Sequence, residues 1–337
     1  MSKKSSKSSK KKKVTGLPGQ ARPEDSSAAV FWHDNRRFAE IFSKTAMKDC
    51  PIDPDELVEQ DTTEAALIRI MGNINIPLKQ VRDVVKALKS GVQLAVLGIE
   101  NYTYIDYLLP FHILTSDYLN IAKQVSTIKN ANRQNKSNHT KGEVMSLFNR
   151  SDKIAPVVTL AIYYGKEPWD GPTKLSDLYI DSPYKQFAAD YPIYVLDVRR
   201  MTDEQIDDFS DDLKTLFSFL KYEGENTDKL VEFVLKNRSY FGSVHPETLS
   251  ALIEITKSKE LLYIQKESRN PEGRIDMCNG IQYYANQVAK EQARQTFIET
   301  AQDFGHSITD TINKFVTKFN VTEEEAQADI KKYWKES

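Results

Sequence analysis

The chain has 337 residues, 40% of them hydrophobic and 28% charged, with a mean hydropathy of -0.53, which is enough apolar material for a sizeable core in a water-soluble chain. No run approaches the ~18 apolar residues of a membrane-spanning helix, so no such helix is expected. The net charge of -2 hides an asymmetry: residues 1–13 carry seven lysines and no acid, leaving 39 basic residues against 48 acidic ones in the rest.

Residues 1–27 hold this lysine/serine run and a Pro/Gly linker, and with so little to bury they are expected to be disordered. Residues 28–46 predict one helix with Phe31, Phe38, Ile41 and Phe42 on one face, ended by Pro51 and Pro54. Strands are expected at about 64–71, 80–89 and 93–101, the last two joined by a Ser90-Gly91 hairpin. Residues 106–130 predict a helix, 131–152 a polar loop, and 154–165 and 192–200 two more strands. From Thr202 onward the pattern is helical throughout. Thr202 with Gln205 reads as a capping box, Pro246 as a first-turn proline, and Thr322 as an N-cap followed by acids, while 276–318 reads as one long or broken helix. The expected class is α/β, divided into a 1–27 tail, a 28–200 core and a 201–337 helical region, the last a candidate for contact between copies of the chain.

Cys50 and Cys278 lie far apart and make no metal-ligand spacing, which fits a reducing, cytoplasmic setting. The five histidines are scattered and no phosphate-binding glycine loop is present. Two acids stand out. Asp83 lies in a short apolar-alternating run, and Glu100 ends the next run directly after LAVLGI. Carboxylates at adjacent strand ends can converge on one divalent cation, and hard oxygen ligands suit Mg²⁺ or Mn²⁺, the kind of cation that phosphodiester hydrolysis requires. A plainer reading stays open: Asp83 as a surface pair with Arg82. Glu100 follows a buried strand and needs a partner or a metal. Tyr163, Tyr164 and Trp169 read as core and turn residues. Lys123, Lys129, Arg133, Lys136 and Lys141 form a basic stretch that suits either a DNA backbone or solvent.

Several stretches together resemble the bacterial recombination-promoting nuclease / putative transposase family, within the PD-(D/E)xK nuclease superfamily. They are NRRFAEIF with DPDELVEQDTTE, VRDVVK, LGIENYTYIDYLLP, VVTLAIYYGKEPWDGPTKLSDLY, YVLDVRR, and MCNGIQ with TEEEAQADIKKYW. The resemblance implies a four-stranded mixed core in αβββαβ order, with Asp83 and Glu100 as the cation-holding acids and Gln124 as a helix glutamine beside the site. Where the family carries Gln, and the superfamily Lys, two residues after the second acid, this chain has Tyr102. His112 stands where the family tends to carry Arg, and Ser116 and Ile121 replace aromatics. The function implied is a metal-dependent DNA endonuclease linked to recombination or mobile elements, with an eroded site shell. The alternative is a non-catalytic DNA-binding or interaction protein that keeps the fold, a reading favoured by Tyr102 and His112.

Overall fold

The computed structural model describes residues 26–334 apart from 71–73, 91, 138, 224–226, 268 and 270–271. Expectations for the lysine-rich tail up to residue 25 lie outside these residues. The expected first helix is two: α1 (Ser27–Trp32) and α2 (Asn35–Lys44). Asp34 breaks it by turning extended, and its carboxylate caps the Arg36 and Arg37 amides.

Next come β1 (Leu57–Glu59), β2 (Thr63–Ile70), β3 (Ile74–Val81), β4 (Val84–Ser90) and β5 (Val92–Tyr102). α3 (Leu109–Asn135), α4 (Lys141–Ser146), β6 (Val157–Tyr163) and β7 (Tyr194–Asp197) follow. The main sheet runs β1-β4-β5-β6-β7, with β1/β4 and β4/β5 antiparallel and β5/β6 and β6/β7 parallel. The hairpin expected around Ser90-Gly91 is borne out by the Ser90↔Val92 pairing. The strand expected at 64–71 forms as β2, but it pairs with β3 in a separate two-stranded ribbon instead of joining the main sheet. The 80–89 run is interrupted, because Arg82 leaves the ladder and its amide donates to the Thr62 carbonyl. The expected 131–152 loop is partly helical: α3 continues to Asn135, and a Thr140–Glu143 capping box starts α4.

Nine helices are described after the sheet. They are α5 (Asp203–Asp207), α6 (Asp211–Glu223), α7 (Thr227–Lys236), α8 (Arg238–Phe241), α9 (Pro246–Thr256), α10 (Lys259–Glu267), α11 (Met277–Asp303), α12 (Ile308–Phe319) and α13 (Glu323–Tyr333). The caps at Thr202 and Thr322 and the first-turn Pro246 form as expected. Gly305, at φ +73, stands where the chain turns between α11 and α12.

Along β6 the side chains alternate between two cores. Leu160 and Ile162 join Phe31, Trp32, Phe38 and Phe42 on the α1/α2 face, and Ala161 meets Leu109 and Ile113 of α3 on the other. The larger core continues through Leu213, Phe217, Leu252 and Ile264 to Ile281, so no break in it coincides with residue 200. A separate cluster of Ile298, Phe315, Ala326 and Ile330 holds the last three helices together. Among the described residues no helix is long and apolar enough to cross a membrane.

Candidate active site

On β5, Leu97 and Ile99 point into the α1/α2 core, so Gly98, Glu100 and Tyr102 face α3. Glu100 is buried, and two donors hold its carboxylate. The Tyr102 hydroxyl donates to Oε2 at 2.6 Å, and the Ser116 hydroxyl of α3 donates to Oε1 at 3.4 Å. Burial pushes the Glu100 carboxyl up from its ordinary value, while the Tyr102 bond, the Arg82 charge and Ser116 act the other way. Burial and the adjacent carboxylate push the Tyr102 phenol far up. It is therefore a donor and not a base.

Asp83 stands just before β4, one step beyond the Val84↔Ile99 pairing and so next to Glu100 in the register. Its Oδ2 accepts from the Asn101 amide at 2.7 Å and from Asn101 Nδ2 at 3.0 Å. Asn101 points to the opposite face from Glu100, where its Oδ1 accepts from Trp32 Nε1 at 3.1 Å and from the Tyr164 hydroxyl at 2.8 Å. Burial pushes the Asp83 carboxyl up to about 6, against the two Asn101 bonds, and the charges of Glu100 and Glu254 push in the same direction. The two acids therefore repel each other, although each is hydrogen-bonded from a different face of the sheet.

Sequence reasoning missed a third acid close to this pair. Asp117, beside Ser116 on α3, accepts from Arg82 Nη2 at 2.6 Å and from the Thr159 hydroxyl at 2.7 Å on Oδ1, and from the Tyr191 hydroxyl on Oδ2. Arg82 is thus fully buried and bonded to Asp117, a correction to its reading as a surface partner of Asp83. Gly98 makes room for it, since a Cβ there would lie 2.7 Å from Arg82 Nη1 and 3.2 Å from the Thr159 hydroxyl. The available signal was that α3 contains a single acid, set among apolar and small polar residues.

Gln124 lies elsewhere. Its amide donates to Asn120 Oδ1 at 2.9 Å and to the Ala155 carbonyl at 3.2 Å, and accepts from the Ala155 amide at 2.8 Å. It clamps the strand entering β6, about 12 Å along α3 from Ser116. His112 meets Asp106 Oδ2 at 2.8 Å. Tyr163 and Tyr164 are buried, and Trp169 stands edge-on to Tyr163 at 5.2 Å, as expected of core and turn residues.

Among the described residues no cluster of three or more His, Cys, Asp or Glu side chains could hold a metal. The Asp83–Glu100 pair fits a hard cation in donor type. Burial holds both carboxyls toward the neutral form, and at Asp83 the Glu100 charge adds to it, a penalty that a divalent charge would relieve. Tyr102 and Ser116 already engage the Glu100 oxygens and would compete with it.

A family model described as "Putative transposase, YhgA-like" matches residues 134–245. The transposase-family part of the resemblance read from the sequence is borne out over that segment. It contributes Thr159 and Tyr191 to Asp117 but contains neither Asp83 nor Glu100. No curated protein and no solved structure matches the chain significantly.

Proposed function

We propose that this chain is a metal-dependent endonuclease acting on DNA, in the mobile-element class that the name of the matched family suggests, on a PD-(D/E)xK-like core. With the β2/β3 ribbon set aside, the order α2, β1, β4, β5, α3, β6 follows the αβββαβ pattern of that core. The observation that carries the reading is the Asp83–Glu100 pair: a half-buried and a buried carboxylate, adjacent in the register, with the Glu100 charge adding to desolvation in raising Asp83. Structural carboxylates of this kind are usually paired or avoided.

Asp83 and Glu100 would hold Mg²⁺ or Mn²⁺. Such a cation neutralises charge on the phosphate and acidifies the attacking water. The side chains present have separate tasks. Asn101 orients Asp83 through two hydrogen bonds, and Tyr102 fixes Glu100 Oε2 while staying protonated. Arg82, immobilised by Asp117, biases Glu100 toward the carboxylate. No cation or amide occupies the Tyr102 position, so water orientation is weak and a slow enzyme is expected.

One observation favours a second reading, a non-catalytic DNA-binding protein: the Tyr102 hydroxyl at 2.6 Å covers an oxygen that the cation needs. Nicking of supercoiled plasmid by the whole protein, with Mg²⁺ or Mn²⁺ and with EDTA, separates the two. The nuclease reading expects EDTA-sensitive nicking lost in Glu100→Gln and Asp83→Asn. Nicking that survives both substitutions, or none in any metal, sinks it.

A further inference from the structure

α3 leaves the candidate site carrying charge of one sign. Ser116 and Asp117 are occupied with Glu100 and Arg82, and the next residue, Tyr118, is exposed. From Tyr118 to Gly142 the chain has five cations and no acid, within a protein of net charge -2. Tyr118, Ala122, Val125, Lys129 and Arg133 repeat at helical spacing and so form one stripe, about 22 Å long. A cleft of about 470 Å³ runs along it, lined by these residues and Ile121, and the β2/β3 ribbon packs alongside α3. Among the described residues neither Lys129 nor Arg133 forms an ion pair, and Arg133 makes only a 3.5 Å contact with Asn130.

We propose that this cleft along α3 takes the phosphate backbone of a DNA strand, with Lys129 and Arg133 on phosphates and Tyr118 at the end nearest Glu100. The proposal rests on DNA being the ligand, as both readings under the proposed function have it. Cations of one sign beside an exposed ring are the composition of a strand-tracking groove, in which charge follows the backbone and the ring stacks on a base. The acids at Asp83 and Glu100 repel a polyanion, so the attraction has to come from a neighbouring surface. The small side chains of Ala122 and Val125 keep the floor open between the ring and the charges.

The test compares the full-length protein with Lys129→Gln/Arg133→Gln, with Tyr118→Ala, and with Lys331→Gln as a control on α13, all checked for fold by circular dichroism. The readout is the salt dependence of binding to a fluorescent single-stranded oligonucleotide without metal. Loss of two phosphate contacts should lower the log–log slope by about 1.5, and Tyr118→Ala should weaken binding about 10-fold. Lys331→Gln should change neither. A double variant whose slope matches that of Lys331→Gln overturns the proposal, even if plasmid nicking remains and the nuclease reading stands. A lowered slope in a protein that nicks under no metal keeps the proposal and removes the nuclease reading. A wild type that binds no DNA at low salt overturns this cleft outright.

Discussion

Arg82 and Asp117, 35 residues apart in sequence, meet at 2.6 Å with both side chains sealed from solvent. The pair joins the start of β4 to α3 and sets a permanent positive charge beside Glu100. Removing one partner of a buried ion pair strands the other, at a cost of about 3–5 kcal/mol. We predict that Asp117→Ala loses roughly that much stability, measured by urea denaturation. The double change Arg82→Met/Asp117→Leu should lose markedly less, and equal losses would show that the charge is not what matters.

Gly98 lies beneath the same guanidinium. A methyl there would sit 2.7 Å from Arg82 Nη1, and Asp117 leaves the arginine little freedom to move. Gly98→Ala is therefore expected to destabilise by about 1–3 kcal/mol despite the higher strand propensity of alanine. A neutral or stabilising result in thermal melts would mean that the guanidinium has another place to go.

Asp83 makes stability depend on pH. Its folded pKa of about 6 lies above the ordinary 3.8, so between those values the folded state binds more protons than the unfolded chain. In metal-free protein this group costs about 3 kcal/mol above pH 6, and the penalty is relieved as pH falls toward 4. Asp83→Asn can keep both Asn101 bonds through its oxygen. It should stabilise the metal-free protein by up to that amount at pH 8, and the gain should vanish near pH 4. A gain that does not vary with pH would assign the effect to something other than the charge.

Tyr102 decides how much chemistry the site retains. A glutamine there removes the bond to Glu100 Oε2 and provides an amide able to hold a water. Tyr102→Gln is predicted to raise Mg²⁺-dependent plasmid nicking about 10-fold, equivalent to about 1.4 kcal/mol of barrier. Adding Glu100→Ala should abolish the gain. An inert Tyr102→Gln in a wild type that nicks well would assign the chemistry to the tyrosine itself.

What could be read in advance was local. Thr202 with Gln205, Pro246 in a first turn and Thr322 before its acids signal helix starts from within one turn, and the structure uses all three. The β4/β5 hairpin was legible from the Ser-Gly dipeptide between two apolar runs. Where two segments competed, sequence pattern gave no ranking. β1 has three residues and no periodicity, yet it joins the main sheet, while the eight-residue β2 carries the strand signal and pairs only with β3. At the candidate site, Asp83 and Glu100 could be singled out from their places at strand ends, and Tyr102 from the motif that carries the resemblance. Asp117, Thr159 and Tyr191 were not, because their meeting depends on how α3 and β7 settle against β6. Gln124 fell on the right helix, but its amide serves the Ala155 backbone.

The apolar interior running from Phe31 through Leu160 to Leu252 and Ile281 makes the sheet and the helices after it one cooperative unit. A fragment ending at residue 200 would bare the floor of its own sheet, and it should be recovered as an aggregate. The last helices have an interior of their own around Phe315, and since α11 also feeds the main core through Ile281, α12 and α13 are the part that can be grafted, exchanged or lost while the rest still folds.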